Sequence, residues 1–253
     1  MTLWAFGDSF TVSTEHIEIS NKNRADVGLF GPFQPLEKNW LDIVSEKLTG
    51  TVKHYNLAIA GCANEFIFHQ LMLNANNFKS GDYVIVTLTA NNRRWLVERC
   101  PHLANWSNCK FEPDVEHSVT KAENKAIQQY GRYLDSDKAS ESIYNAVFWG
   151  TVAVAKNVAN LGVKFLILPG FHEMTGIKGT LSAASFAEFA DDDTLDKFYR
   201  KTTDNRWNHF TEVNHKILAN KVIEFFEDIN HNVDLNSGFV TKIYNKDNIK
   251  QIT

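Results

Sequence analysis

The chain is poor in the features that would narrow its class at once. Only three of its 253 residues are cysteine and five are proline. Cys62, Cys100 and Cys109 cannot all pair with one another, and their spacings match no zinc pattern. Neither a disulfide scaffold nor a structural metal site is expected. Cys100 and Cys109 flank a short loop that could close under oxidising conditions, a matter spacing alone leaves open. A basic excess is also missing. The net charge of -4 argues against a general nucleic-acid binder. No apolar run approaches the roughly 20 residues needed to span a bilayer, so no integral membrane association is expected. No basic n-region or cleavage site precedes the first strand, which points to a cytoplasmic product. Release by lysis, by a non-classical route or within a particle stays open. Gly-x-Gly-x-x-Gly and P-loop patterns are absent after every strand, which removes a nucleotide-binding reading.

What is present is ordinary globular composition, 43% hydrophobic and 22% charged. It suits one α/β domain over residues 1–253. Thr2 to Phe6 is an apolar run of strand length that ends at Gly7-Asp8-Ser9-Phe10-Thr11. A polar loop follows to about Pro35, then a helix at 36–48 stopped by Gly50. A strand at 51–59 leads to Gly61, and a helix to 64–76. Tyr83 to Leu88 is a continuous apolar strand, as in a sheet covered on both faces. Residues 96–138 do not fit a simple crossover and read as a mostly helical insertion. A long helix at 140–161, capped by Gly162, precedes a fourth strand at 163–169. Residues 170–203 read as a long loop with an acidic run at Asp191-Asp192-Asp193, better explained as solvated than as a cation site. The last clear helix is 210–229, and the tail has a weak strand signal at Phe239-Val240 and Ile243-Tyr244. Strands alternating with helices imply βαβ units and a parallel sheet.

In such a sheet, ligands bind outside the carboxyl ends of the strands. Each strand end here points a small polar cluster to that edge. The first gives Ser9, the second Gly61, the third Asn91 and Asn92, and a late loop gives Asp204 through His209. Gly7 permits a tight turn, and Asp8 can bond back to the turn backbone and fix the Ser9 hydroxyl. A serine nucleophile needs a base within reach, a group to orient that base, and donors aimed at the developing oxyanion. His209 can be the base. The Ser9 and Gly61 N–H groups and the Asn91 side-chain amide can be the donors.

These blocks, in this order and at these intervals, resemble the SGNH (GDSL-type) hydrolases. They are Gly7-Asp8-Ser9-Phe10, Gly61, Asn91, and His209-Phe210-Thr211-Glu212-Val213-Asn214-His215. The resemblance spans residues 2 to about 226. It implies a flavodoxin-like three-layer α/β sandwich with a mostly parallel central sheet. It also implies Ser9 as nucleophile, His209 as base, and Gly61 and Asn91 in the oxyanion hole. Two departures stand out. Thr89 replaces the glycine usual two residues before Asn91, which makes Asn92 an alternative donor. Arg206 stands where the family places its acid, so Asp204 is the candidate third member, the alternative being a Ser–His dyad.

An α/β-hydrolase elbow is a poor match, because Thr11 stands where its second glycine belongs. His172 reads as a pocket-wall or structural residue, and His215 as a packing or capping residue of the last helix. Arg93 reads equally as an anion holder or as surface. Around the site, Arg94, Trp95 and Trp207 are the candidate substrate contacts, with Trp106 and His172 in overhanging loops. Aromatic faces among fixed polar donors suit a short-chain, acetyl ester of a carbohydrate or other small polar molecule. The expected enzyme is a serine esterase working through an acyl-enzyme with no metal or other cofactor. The alternatives are lipid acyl or thioester hydrolysis, and a catalytically silent glycan- or receptor-binding module.

Overall fold

A computed structural model describes residues 1–12, 38–91, 93, 95, 125, 129, 137–185, 187–189, 210, 212–228, 231–240 and 242–244. Two compact units interleave along the chain. One comprises Met1–Thr11 and Tyr55–His172, the other Val12–His54 and Glu173–Thr253.

The first unit is built on a four-stranded, all-parallel sheet. Its strands are β1 (Leu3–Phe6), β2 (Tyr55–Asn56), β3 (Tyr83–Thr87) and β4 (Lys164–Leu168), in the order β2-β1-β3-β4. That is an α/β fold with the flavodoxin-like strand order, as expected. Every residue of β1 and β3 is buried, which is why both read as unbroken apolar runs. β4 lies at the end of the sheet and alternates instead, with Lys164 exposed and Leu166 and Leu168 buried. Register pairs Leu3 with Tyr83 and Phe6 with Val86 on one side of β1, and Trp4 with Tyr55 on the other. β2 is shorter than the expected 51–59 strand. Pairing nonetheless runs on through Leu57 N–H to the Ala5 carbonyl (2.8 Å) and Ile59 N–H to the Gly7 carbonyl (3.0 Å).

Asp82 fixes the other end of the sheet. Its buried carboxylate accepts from Thr2 N–H (2.8 Å), Trp4 Nε1–H (3.2 Å) and Lys79 N–H (3.0 Å). Two helices pack together beside the sheet, numbered here α2 (Asn64–Asn74) and α3 (Asp137–Ala159). Gly150 explains how α3 comes so close: a Cβ there would lie 2.9 Å from Phe68 Cζ. Gly162 ends the connection to β4 at φ 81°, a conformation glycine adopts without strain. Of the insertion expected at about 96–138, Lys125, Gln129 and the first residues of α3 are described and are helical; the rest lies outside the described residues.

The second unit holds α1 (Trp40–Thr49), α4 (Leu181–Ser185) and α5 (Glu212–Glu227). It also holds a two-stranded parallel sheet of β5 (Ala187–Phe189) and β6 (Lys242–Tyr244). α1 begins at Trp40 rather than near residue 36 because Asn39 caps it. The Asn39 side chain accepts from Asp42 N–H and the Asp42 carboxylate accepts from Asn39 N–H, a reciprocal capping box. α1 packs on α5, burying Trp40, Leu41 and Val44 on one helix and Leu218, Val222 and Phe226 on the other. His215 sits on α5, and its Nδ1 accepts from Trp40 N–H at 3.2 Å, so it caps the start of α1; its ring also packs edge-on against Phe210. The 170–203 segment is not all loop, since it contains α4 and β5. β6 coincides with the Ile243-Tyr244 part of the weak tail signal, whereas Phe239-Val240 is not in a strand. Among the described residues no helix is long and apolar enough to cross a membrane.

Candidate active site

The strand order sets which loops meet. β1 lies between β2 and β3, so the segments leaving their carboxyl ends are neighbours. Those segments carry Ser9, Gly61 and Asn91. Three of the residues picked from sequence therefore come to one edge of one sheet.

Ser9 stands in a tight turn closed by Thr11 N–H donating to the Asp8 carbonyl at 2.9 Å. It is partly exposed, whereas Asp8 and Phe10 on either side are buried. Gly7 is required here by contact. A Cβ at this position would lie 2.9 Å from Thr87 Cβ and against the Thr11 side chain. Gly61 follows β2 with φ 77°, a left-handed conformation that favours glycine. Its N–H has no acceptor among the described residues. The next residue, Cys62, is buried and donates its thiol to the Gly7 carbonyl at 3.3 Å, which ties the second strand's exit to the first. Burial, reinforced by the charge of Asp8, pushes the Cys62 thiol far above the usual thiol range.

The segment after β3 is held at several points. Asn64 brackets Thr89, its Nδ2 donating to the Thr89 carbonyl (3.0 Å) and its Oδ1 accepting from Thr89 N–H (2.7 Å). The Thr89 hydroxyl, which a glycine would lack, lies 2.6 Å from Asp8 Oδ2. Arg93 Nη1 donates to the same Asp8 oxygen at 2.7 Å and to Thr89 Oγ1 at 2.6 Å. The other Asp8 oxygen accepts from Phe10 N–H at 3.1 Å. Arg93 is thus a partner of Asp8 inside the protein, neither plain surface nor an open anion holder. Its guanidinium also lies over the Phe171 ring, 5.3 Å from the centroid.

His172 follows β4. Its Nε2 accepts from Asn91 N–H at 3.2 Å, which places the ring proton on Nδ1. Its ring meets Tyr144 edge-on at 5.6 Å. Burial lowers the His172 pKa below the ordinary histidine value, favouring this neutral ring. Through Nε2, His172 supports the Asn91 segment. Trp95 packs on α2, edge-on to Phe66 at 5.4 Å and 4.9 Å from the His69 ring.

His209, Asp204, Asn92, Arg94 and Trp207 lie outside the described residues, as do Trp106, Cys100, Cys109 and the Asp191–Asp193 run. Among the described residues no group of three or more His, Cys, Asp or Glu side chains could hold a metal ion. What sequence reasoning missed is the set of anchors around Asp8. Only the departure of Thr89 from the family pattern marked the place.

No protein-family model matches the chain, and no curated protein is similar to it. Among solved structures, the crystal structure of protein YXIM from Bacillus subtilis, a structural genomics target, is similar at 14% sequence identity and a TM-score of 0.30. The match covers 90% of this chain and 46% of that one, so the chain spans about half the length of that protein.

Proposed function

We propose that this protein is a serine ester hydrolase of the SGNH type, acting on short-chain, acetyl esters of a carbohydrate or other small polar substrate. The observation that carries the reading is the placement of Ser9, Gly61 and Asn91 on the exits of three adjacent parallel strands, with Ser9 on the middle one. The support is a nucleophile candidate in a fixed turn, flanked by two donor candidates.

In the proposed reaction, Ser9 Oγ attacks the ester carbonyl while His209 takes its proton. The negative charge that forms on the carbonyl oxygen is met by Ser9 N–H, Gly61 N–H and the Asn91 side-chain amide. The Asn91 backbone N–H is turned to His172, so the side chain is the part of Asn91 that serves the oxyanion. Collapse of the tetrahedral intermediate expels the alcohol, protonated by His209, and leaves an acyl-Ser9 ester. Water, deprotonated by His209, then releases the acid and restores Ser9. Asp204 orients the His209 ring.

The test is hydrolysis of p-nitrophenyl acetate by the wild type and by Ser9→Ala. A loss of about three or more orders of magnitude in kcat is expected, since nucleophile and base act as a unit. Equal rates in the two proteins would end the esterase reading in favour of a silent binding module.

A further inference from the structure

We infer that Thr89 and Arg93 are positioning residues that set the Ser9 nucleophile against the Asn91 donor. This rests on the esterase reading and names the part of the site that keeps its two sides in register.

Asp8 immediately precedes Ser9, and its Oδ1 accepts from Phe10 N–H just beyond it, so the carboxylate straddles the nucleophile. Oδ2 reaches the other side of the site, where it accepts from Thr89 Oγ1–H and Arg93 Nη1–H. Thr89 and Arg93 stand two residues before and two after Asn91. A single carboxylate oxygen thus grips both ends of the Asn91 segment. The contacts close into a ring with consistent proton directions: the Thr89 hydroxyl donates to Asp8 and accepts from Arg93. A second link runs through apolar packing. Phe171 lies under the Arg93 guanidinium and meets Phe10 edge-on at 5.4 Å.

Asp8 is fully buried, so its carboxylate cannot exchange these partners for water. The ring either stays closed or the turn rearranges around it. Among the described residues, Thr89 and Arg93 between them hydrogen-bond to Asp8, Asn64 and each other, so both act on Ser9 through Asp8 and the loop. Such a device should govern rate more than binding, because a misplacement of about 1 Å costs on the order of 100-fold.

The experiment compares wild type with Arg93→Ala, Arg93→Lys and Thr89→Val. Steady-state kinetics on p-nitrophenyl acetate are normalised to active sites titrated with a fluorophosphonate. The rate of Ser9 labelling by that probe is followed by mass spectrometry. In labelling, the Ser9 Oγ–P bond forms, the P–F bond breaks, fluoride leaves, and the hydroxyl proton passes to His209.

Arg93→Ala is expected to lower kcat per site and the labelling rate together by about 100-fold, with KM within about twofold. Arg93→Lys should recover part of the rate, since an ammonium keeps the charge but not the planar fork. A merely structural role would lower the thermal midpoint and the titratable fraction, not the rate per site. If Arg93→Ala does not fold, Arg93→Lys and Thr89→Val decide, with slowing of about tenfold or more supporting the inference. Wild-type rates per site in the folded variants overturn it while leaving the esterase reading intact. A wild type that neither labels at Ser9 nor hydrolyses ester overturns both.

Discussion

The side-chain amide of Asn64 holds the backbone of Thr89 on both sides, donating to its carbonyl at 3.0 Å and accepting from its N–H at 2.7 Å. Asn64 is the first residue of α2 and is buried, so a helix start on one strand's exit clamps the exit of another. An uncharged amide offers a donor and an acceptor side by side, which an ionised carboxylate of the same shape does not.

Asn64→Ala should therefore destabilise the protein by about 2–4 kcal/mol, because it strands a buried N–H and a buried carbonyl. Asn64→Asp should be no better at neutral pH. It can still accept from Thr89 N–H, but it sets a carboxylate against the Thr89 carbonyl. Urea unfolding of the three proteins checks this. An Asp variant close to wild type would show that the clamp is dispensable.

How much of this was legible beforehand depends on the range of the interactions. β1 and β3 were readable because a strand buried on both faces must be apolar at every position. Gly50 was readable as a helix stop because the left-handed cap at φ 75° suits glycine. The start of α1 was misplaced because the cap residue, Asn39, was passed over in favour of the apolar periodicity. β5 and β6 are three-residue strands whose pairing joins Ala187 to Lys242, and no local pattern announces so distant a partner. Arg93 shows the same limit at the site. Read locally it was a cation beside Asn91, but its partner is Asp8, 85 positions away.

His172 makes the Asn91 segment sensitive to acid. Its folded-state pKa lies below the ordinary value of about 6.5 that the unfolded chain keeps. As pH falls below that value the unfolded state takes up a proton first, so stability falls. The contribution is complete above about 6.5 and is lost as pH drops through the lower folded value. His172→Gln retains an acceptor for Asn91 N–H without titrating. Its urea midpoint should fall less steeply than the wild type's as pH is lowered through and below about 6.5. Identical slopes would remove His172 as the cause.

Cys62 should be inert in the native protein. Its thiol is buried, donates to the Gly7 carbonyl and is held protonated by burial and by Asp8. The thiolate is the reactive form, so alkylation requires unfolding. Iodoacetamide treatment followed by peptide mapping should leave Cys62 unmodified in buffer and fully modified in urea. A Cys62 adduct formed under native conditions would mean that the segment joining Gly7 to α2 opens readily.

The last expectation concerns the acyl group. Next to Ser9, the buried Asp8 carboxylate is tied to Thr89 and Arg93, and Phe171 packs between Phe10 and the Arg93 guanidinium. Trp95 packs back on Phe66 and His69. A compact acyl group is the expectation, because a long chain gains only where apolar surface receives each added methylene. Across p-nitrophenyl esters, kcat/KM should peak at about two to four acyl carbons and collapse by about eight, each unaccommodated methylene costing on the order of 1 kcal/mol or more. O-acetylated sugars should then be hydrolysed in a Ser9-dependent manner. A kcat/KM that climbs to about ten carbons would instead place the natural substrate among lipids or acyl thioesters, where each added methylene contributes favourable burial.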